Sequence, residues 1–223
     1  MCLTNMREFS FFYLGYFVPA CTLLPLVAGL IYYRQINKPL RVLLIYLTMS
    51  FVVNVVGSIL AEYSINNLPL LHFYTMAEVV TVMLYYIHAF GEGDIRKWIK
   101  AVMVVFPVIC VVNLLFFQSI NEYNTYTRPL GAIIIVLFSG VYMAEQSNIK
   151  SPELVTRSGR TIAAGLMIYF CSSLFQFIFS NIVSKNASKF ITMLIWNIHG
   201  TFVLIMYLLF FRAILYERSK RQY

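Results

Sequence analysis

Residues 97–117 read KWIKAVMVVFPVICVVNLLFF, with no charged residue after Lys100. An α-helix of about 20 apolar residues is long enough to cross the roughly 30 Å of hydrocarbon in a bilayer. This stretch therefore predicts a membrane-spanning helix, and six further stretches of similar character occur along the chain. The seven predicted spans cover residues 10–33, 40–62, 69–90, 97–117, 128–145, 160–182 and 189–215.

The composition agrees with a protein whose solvent is lipid. Hydrophobic residues make up 60% of the chain and charged residues 12%, whereas soluble domains are about 25% charged. We expect one all-α domain over residues 1–223, a polytopic seven-helix bundle with the lipid bilayer as its surroundings. The net charge of +8 is scattered through short gaps between spans, which argues against nucleic acid as a partner.

The cations predict an orientation. Thirteen of the 17 Lys and Arg residues lie in alternate gaps, and cytoplasmic loops carry an excess of these residues. The N-terminus is therefore expected outside and the C-terminus in the cytoplasm. The basic tail would favour anionic lipids at the cytoplasmic face. The thirteen are Arg34, Lys38, Arg41, Arg96, Lys97, Lys100, Lys150, Arg157, Arg160, Arg212, Arg218, Lys220 and Arg221.

Four spans each carry a strongly polar residue at a similar depth, about 12–15 Å below the outer surface. Polar groups that face lipid are costly, so these helix faces should turn towards one another. The sequence therefore predicts a polar ligand-binding layer near the middle of the bilayer. Its predicted members are Asn54, Glu78, Gln176 and His199, together with Tyr74 and Trp196 on the same helix faces.

Glu78 is the one acidic residue deep in a predicted span, and an ionisable residue at that depth is a functional candidate. We expect Glu78 and His199 to meet, directly or through one water. The pair could bind a cation or polar ligand, carry a proton, or form a structural hydrogen bond. A transporter would also need a polar path to the cytoplasm, for which the sequence offers Glu78, Thr81, Tyr85 and His88.

Metal and cofactor chemistry has little support in the sequence. A catalytic zinc needs about three protein ligands, but the chain has three His at three different predicted depths, and Asp94 is its one Asp. No P-loop or GxGxxG motif occurs. We predict no metal site and no cofactor, and an intramembrane hydrolase is the least favoured of the functions considered.

The connection before the fifth span predicts a lid. Residues 121–127 read NEYNTYT and precede Arg128-Pro129. Proline suits a first helical turn and Thr127 suits an N-cap. We expect this segment to fold over the outer mouth of the bundle, with Arg128 paired to Glu62 or Glu122; a solvated loop is the alternative.

Seven helices with an outside N-terminus is also the topology of microbial rhodopsins, but the seventh span lacks an interior lysine for retinal. The segments HFYTMAE (72–78), NEYNTYTR (121–128) and WNIH (196–199) resemble marks of an uncharacterised seven-helix inner-membrane family of Bacteroidota. The resemblance spans most of the chain. It implies that the protein lies in the inner (plasma) membrane of a cell and has seven helices, and it implies no activity.

The sequence favours a binding or sensing module whose polar layer recognises a small ligand, a proton or a lipid head group and acts through a partner membrane or signalling protein. Proton-linked transport of a small solute is the first alternative. A structural subunit of a membrane complex is the second, ahead of the hydrolase.

The orientation is testable by cysteine-accessibility labelling of intact cells. Residues 150–160 and 219–223 are expected in the cytoplasm because of their cations, and residues 121–125 outside. A cysteine at position 121 should react with an impermeant reagent, and a cysteine at position 220 should not. Strong labelling at position 220 would overturn the orientation.

Overall fold

A computed structural model of the chain describes residues 8–149 and 156–220, without the side chains of residues 219 and 220. The described elements are all helical, and seven helices are long and apolar enough to cross a membrane. The prediction of an all-α, seven-helix, multi-pass membrane protein is confirmed. The helices are α1 (Glu8–Ile31), α2 (Lys38–Glu62), α3 (Leu68–Ala89), α4 (Ile95–Phe116), α5 (Thr127–Asn148), α6 (Arg157–Asn186) and α7 (Lys189–Lys220).

The last two helices are longer than predicted, with 30 residues in α6 and 32 in α7. At 1.5 Å per residue each is about 45 Å long, more than the hydrocarbon thickness. The predicted spans 160–182 and 189–215 followed the apolar residues, whereas the helices continue into polar flanks. Residues 150–155 and 221–223, predicted to be cytoplasmic, lie outside the described residues.

Six helices form a closed ring in the order α1, α2, α3, α5, α6 and α7, with α7 packed against α1. Helix α4 lies outside this ring, against α3 and with a smaller contact to α5, and it is the least buried of the seven. We call the end where α1 starts the N-terminal end and the end where α7 finishes the C-terminal end. The ring, rather than the full set of seven helices, encloses the interior.

Gly131 of α5 sits where α3, α4 and α5 converge. A Cβ added at this glycine would lie 2.7 Å from Cγ2 of Val79 and 3.0 Å from Cζ of Phe106. Helices can approach closely where small residues face a neighbour. Because Gly131 has no Cβ, α5 can pack directly on α3. Helix α4 then lies outside the ring.

Helix α1 departs from α-helical geometry over Tyr13–Phe17, where it forms a π-helical turn. The Val18 N–H donates to the Tyr13 carbonyl, five residues back. Pro19 follows directly and has no N–H to donate, so a regular α-helical ladder would break here. Short π-helical turns of this kind are frequent at functional sites.

The close approach at Gly131 gives a stability test. The Gly131→Ala variant should lower the midpoint of thermal unfolding in detergent, because overpacking a filled interface costs about 1–3 kcal/mol. Gly140→Ala is the matched control on the same helix, since a Cβ at Gly140 meets no atom within 4 Å. Equal midpoints for the two variants would contradict this account of the α3–α5 contact.

Candidate functional site

The ring encloses a cavity of about 270 Å³ towards its N-terminal end. All six ring helices and the α4–α5 connection contribute to its lining. Of the six residues predicted to bind a ligand, the five that line this central cavity are Asn54, Tyr74, Gln176, Trp196 and His199. Glu78 is not among the lining residues. It is buried, with 2% of its surface exposed, and it reaches the cavity through its partners.

Arg128 and Glu78 form the ion pair of this site. Nη1 of Arg128 lies 3.9 Å from Oε2 of Glu78, and Oε1 of Glu78 accepts a hydrogen bond from the Tyr46 hydroxyl at 3.2 Å. The side chains of Arg128 and Glu78 are 17% and 3% exposed. Two charged side chains with so little exposure to solvent are tolerated only if each is paired and hydrogen-bonded.

Further contacts from α3 and α6 hold the Arg128 guanidinium in position. Nη1 donates to Oγ1 of Thr75 at 3.2 Å, and Nη2 donates to the Tyr169 hydroxyl at 3.4 Å. The guanidinium carbon also lies 4.4 Å from the centre of the Phe177 ring, a cation–π distance. Arg128 thereby joins α3, α5 and α6 at one point. Its remaining surface faces the cavity.

The predicted partner of Arg128 is wrong. Glu62 and Glu122 were expected to pair with it, but Glu78 does so, and Glu122 binds Lys185 at 3.1 Å. Arg128 stands second in α5, at the edge of an apolar stretch, where a cation is ordinarily exposed. The sequence did carry one signal: Tyr74 and Tyr169 lie on the polar faces of their helices, which were expected to turn inward.

The direct contact expected between Glu78 and His199 is wrong as well, and the contact through one water stays a prediction. Nδ1 of His199 is 2.9 Å from Oγ of Ser173 on α6, whereas Glu78 binds Tyr46 and Arg128. The His199 ring is also packed by aromatic side chains, with Tyr169 at 5.5 Å and Phe177 at 5.7 Å between ring centres. The histidine and the carboxylate are thus held by separate sets of partners.

Two features mark the cavity wall as suited to a polar ligand. Oγ of Ser50 lies 2.9 Å from the Tyr74 hydroxyl and 3.4 Å from the Tyr207 hydroxyl, which gives a cluster of rotatable donors and acceptors. Gln176 is 7% exposed, and its Oε1 accepts no hydrogen bond from the described residues. A buried acceptor without a donor is costly, so a ligand that donates to Gln176 would stabilise the site.

The α4–α5 connection covers the cavity. Tyr123 and Asn124 line it from above, and the Tyr123 ring lies 5.9 Å from that of Trp196. The side-chain amide of Asn181 on α6 accepts from the Tyr123 N–H and donates to its carbonyl, both at 3.0 Å. His72 Nε2 is 2.9 Å from the Glu122 carbonyl. The segment therefore packs as a lid rather than as a solvated loop.

Asn124, rather than Thr127, caps α5. Its Oδ1 accepts from the backbone N–H of Thr127 at 3.0 Å and of Arg128 at 3.1 Å, and from the Thr127 hydroxyl at 2.8 Å. A capping side chain satisfies N–H groups that lack partners in the first helical turn. Because Asn124 also lines the cavity, the lid and the position of Arg128 depend on one side chain.

The residues of the predicted proton path separate into two places. Thr81 donates to the Ala77 carbonyl on its own helix. Tyr85 and His88 line a second cavity of about 280 Å³ at the C-terminal end. Leu43 and Leu166 lie about one helical turn from the central cavity on α2 and α6, Val82 lies about two turns from it on α3, and each is at most 2% exposed. This apolar layer separates the two cavities.

Within residues 8–149 and 156–218, no three His, Cys, Asp or Glu side chains come together as a metal-binding group. The polar side-chain groups of the central cavity are hydroxyls, amides, one imidazole, one indole and one guanidinium. This set can bind and orient a polar ligand by hydrogen bonds and charge.

The ion pair can be tested by a double-mutant cycle on thermal stability. Glu78→Gln and Arg128→Met should each cost about 3 kcal/mol, because each leaves the partner charge buried and uncompensated. The double variant should lose less than the sum, with a coupling of about 1–3 kcal/mol. The exposed pair Lys185–Glu122 is the control, where a coupling of about 0–1 kcal/mol is expected. Additive losses for Glu78 and Arg128 would contradict the pair.

No protein-family model matches this sequence, and no curated protein and no solved structure is significantly similar to it.

Proposed function

We propose that this protein is a membrane-embedded binding or sensing module whose central cavity recognises a small polar ligand or a lipid head group. The observation that carries the proposal is the Arg128 guanidinium, which is fixed by Glu78, Thr75 and Tyr169 and yet faces the cavity. Burying a charge with so many partners is costly when stability alone is at stake. A cation pre-positioned in an enclosed cavity is an arrangement suited to recognition.

The surroundings of the cavity support sensing. The lid residues Tyr123 and Asn124 contact the cavity, and Asn124 also caps the helix that carries Arg128. A ligand that displaced the lid would therefore shift the start of α5. The connections between the helices are short, so the response would pass to another chain, a membrane or signalling partner. The proposal includes the inner (plasma) membrane with the N-terminus outside, and anionic lipids near the basic C-terminal tail.

A second candidate function is proton-linked transport of a small solute. The second cavity favours it, because Tyr85 and His88 line that cavity and the two cavities lie on opposite sides of a layer about two to three helical turns thick. Transport would require Leu43, Val82 and Leu166 to separate. Their near-complete burial favours a closed layer, and we place sensing first for this reason.

Native mass spectrometry of protein extracted in mild detergent tests the binding function. The unmodified protein should carry a bound small molecule or lipid. Gln176→Leu and His199→Phe should reduce the bound fraction about tenfold, because loss of a buried polar contact costs about 1–2 kcal/mol. Thr81→Ala is the control, since Thr81 bonds its own helix. An equal bound fraction in all four proteins would reject the cavity as the binding site.

Transport is measured separately, in proteoliposomes loaded with the molecule identified in that way. We expect no uptake under an imposed proton gradient. Uptake that follows the gradient and stops in Tyr85→Phe would replace sensing by the transport function.

A further inference from the structure

The N-terminal half of α1 separates the central cavity from an open groove that faces the bilayer. The groove has a volume of about 760 Å³ and lies between α1 and the facing ends of α6 and α7. Leu14 and Trp196 line both the groove and the central cavity. These two side chains are therefore the partition between a polar interior and a surface exposed to lipid chains.

The partition stands where α1 packs least regularly. Leu14 belongs to the π-helical turn Tyr13–Phe17, and a Cβ added at the neighbouring Gly15 would meet no atom within 4 Å. Two hydrogen bonds of 2.9 Å, Ser10 to Asn197 and Tyr13 to Thr201, hold the backbone of α1 against α7. Passage past the partition thus requires rotation of the Leu14 and Trp196 side chains, not separation of the helices.

The side chains that line the two compartments differ in polarity, and this difference selects a ligand. Among the described residues that line the central cavity, Arg128 is the one Lys, Arg, Asp or Glu side chain. The groove is lined mainly by apolar and small side chains, among them Phe11, Leu14, Ala187 and Phe190, with Lys189 at its rim. A guanidinium fork matches carboxylate and phosphate groups, and an apolar groove matches an alkyl chain.

From this continuity we infer that the ligand is a single-chain amphiphile with a compact anionic head group. The head group binds Arg128 in the central cavity, and the alkyl chain leaves past Leu14 and Trp196 along the groove between α1 and α7. This inference rests on the proposed binding function and adds the chemical class of the ligand and its route of entry. Access from the bilayer accounts for a cavity that the lid covers at the N-terminal end.

A water-soluble small anion is the competing occupant, and its route would pass the lid instead. The two occupants share the contact with Arg128 and differ in the groove. Changes in the groove therefore discriminate between them, while changes at Arg128 test the binding function itself.

Trp196 is a reporter placed at the partition. The chain has two tryptophans, and Trp98 on α4 is 69% exposed. In a Trp98→Phe protein reconstituted in nanodiscs, a dibrominated stearate should quench Trp196 in a saturable way at low mole fraction. The matching dibrominated alcohol lacks the anionic head group and should quench only in proportion to its concentration. Arg128→Gln in the same background should remove the saturable phase.

Substitutions in the grooves test the binding of the alkyl chain separately from the binding of the head group. Gly15→Leu and Ala187→Leu narrow the groove between α1 and α7 and should weaken saturable quenching about tenfold, a loss of about 1.4 kcal/mol. Ala20→Leu is the matched control, because Ala20 lines a different groove between α1 and α2. The thermal unfolding midpoint of each variant, compared with that of the Trp98→Phe parent, shows that the fold is retained.

The outcomes distinguish the two levels of the proposal. Propionate has the same carboxylate without a long alkyl chain and stands for a water-soluble anion. If it raises the thermal unfolding midpoint only when Arg128 is present, and the brominated stearate gives no saturable quenching, the amphiphile is rejected and the binding function stands. If quenching is saturable but equal in Gly15→Leu, Ala187→Leu and Ala20→Leu, the groove between α1 and α7 is rejected as the path of the alkyl chain and the binding function stands. If neither stabilisation by propionate nor quenching by the stearate depends on Arg128, both the amphiphile and the binding of anions in the central cavity are rejected.

Discussion

The cost of burying the Arg128 guanidinium constrains the arrangement of this bundle more than any other interaction. A charge in the hydrocarbon region is tolerated only with partners from its surroundings, and here they come from two other helices. Glu78 and Thr75 belong to α3, Arg128 to α5 and Tyr169 to α6. These contacts require α3 and α5 to be neighbours although α4 lies between them in sequence. The exclusion of α4 from the ring and the glycine at position 131 are consistent with that requirement.

Much of the fold could be predicted because lipid leaves a strong mark on composition. Seven apolar stretches become seven helices, since a backbone in hydrocarbon must satisfy its hydrogen bonds internally. Helix order in the membrane was not predictable from the same signal. Apolar faces that meet lipid and apolar faces that meet another helix look alike in sequence, so the position of α4 depends on Gly131, Val79 and Phe106. The extended ends of α6 and α7 were missed because polar helical flanks lack an apolar signal.

In the candidate site, the depth of residues in the membrane was predictable from the sequence, but the contacts between their side chains were not. Helical periodicity and depth brought Asn54, Gln176 and His199 to one cavity. The predicted direct contact between Glu78 and His199 was wrong, because depth along a helix does not specify where the end of a long side chain lies. Arg128 begins near the N-terminal end of the bundle and reaches inward to Glu78, which leaves His199 to bond Ser173. Residues with long side chains are where a prediction from depth is weakest.

The apolar layer of Leu43, Val82 and Leu166 has an electrical consequence. A transmembrane voltage falls mainly across material of low dielectric constant, and polar cavities on either side shorten that material to about two to three helical turns. The field inside the layer is therefore about two to three times stronger than it would be across a full bilayer of hydrocarbon. One elementary charge moved through the whole voltage gains about 2.3 kcal/mol per 100 mV. In this bundle a displacement across the layer, about two to three turns, would collect most of that energy, which makes the layer the point where membrane potential acts most strongly on the protein.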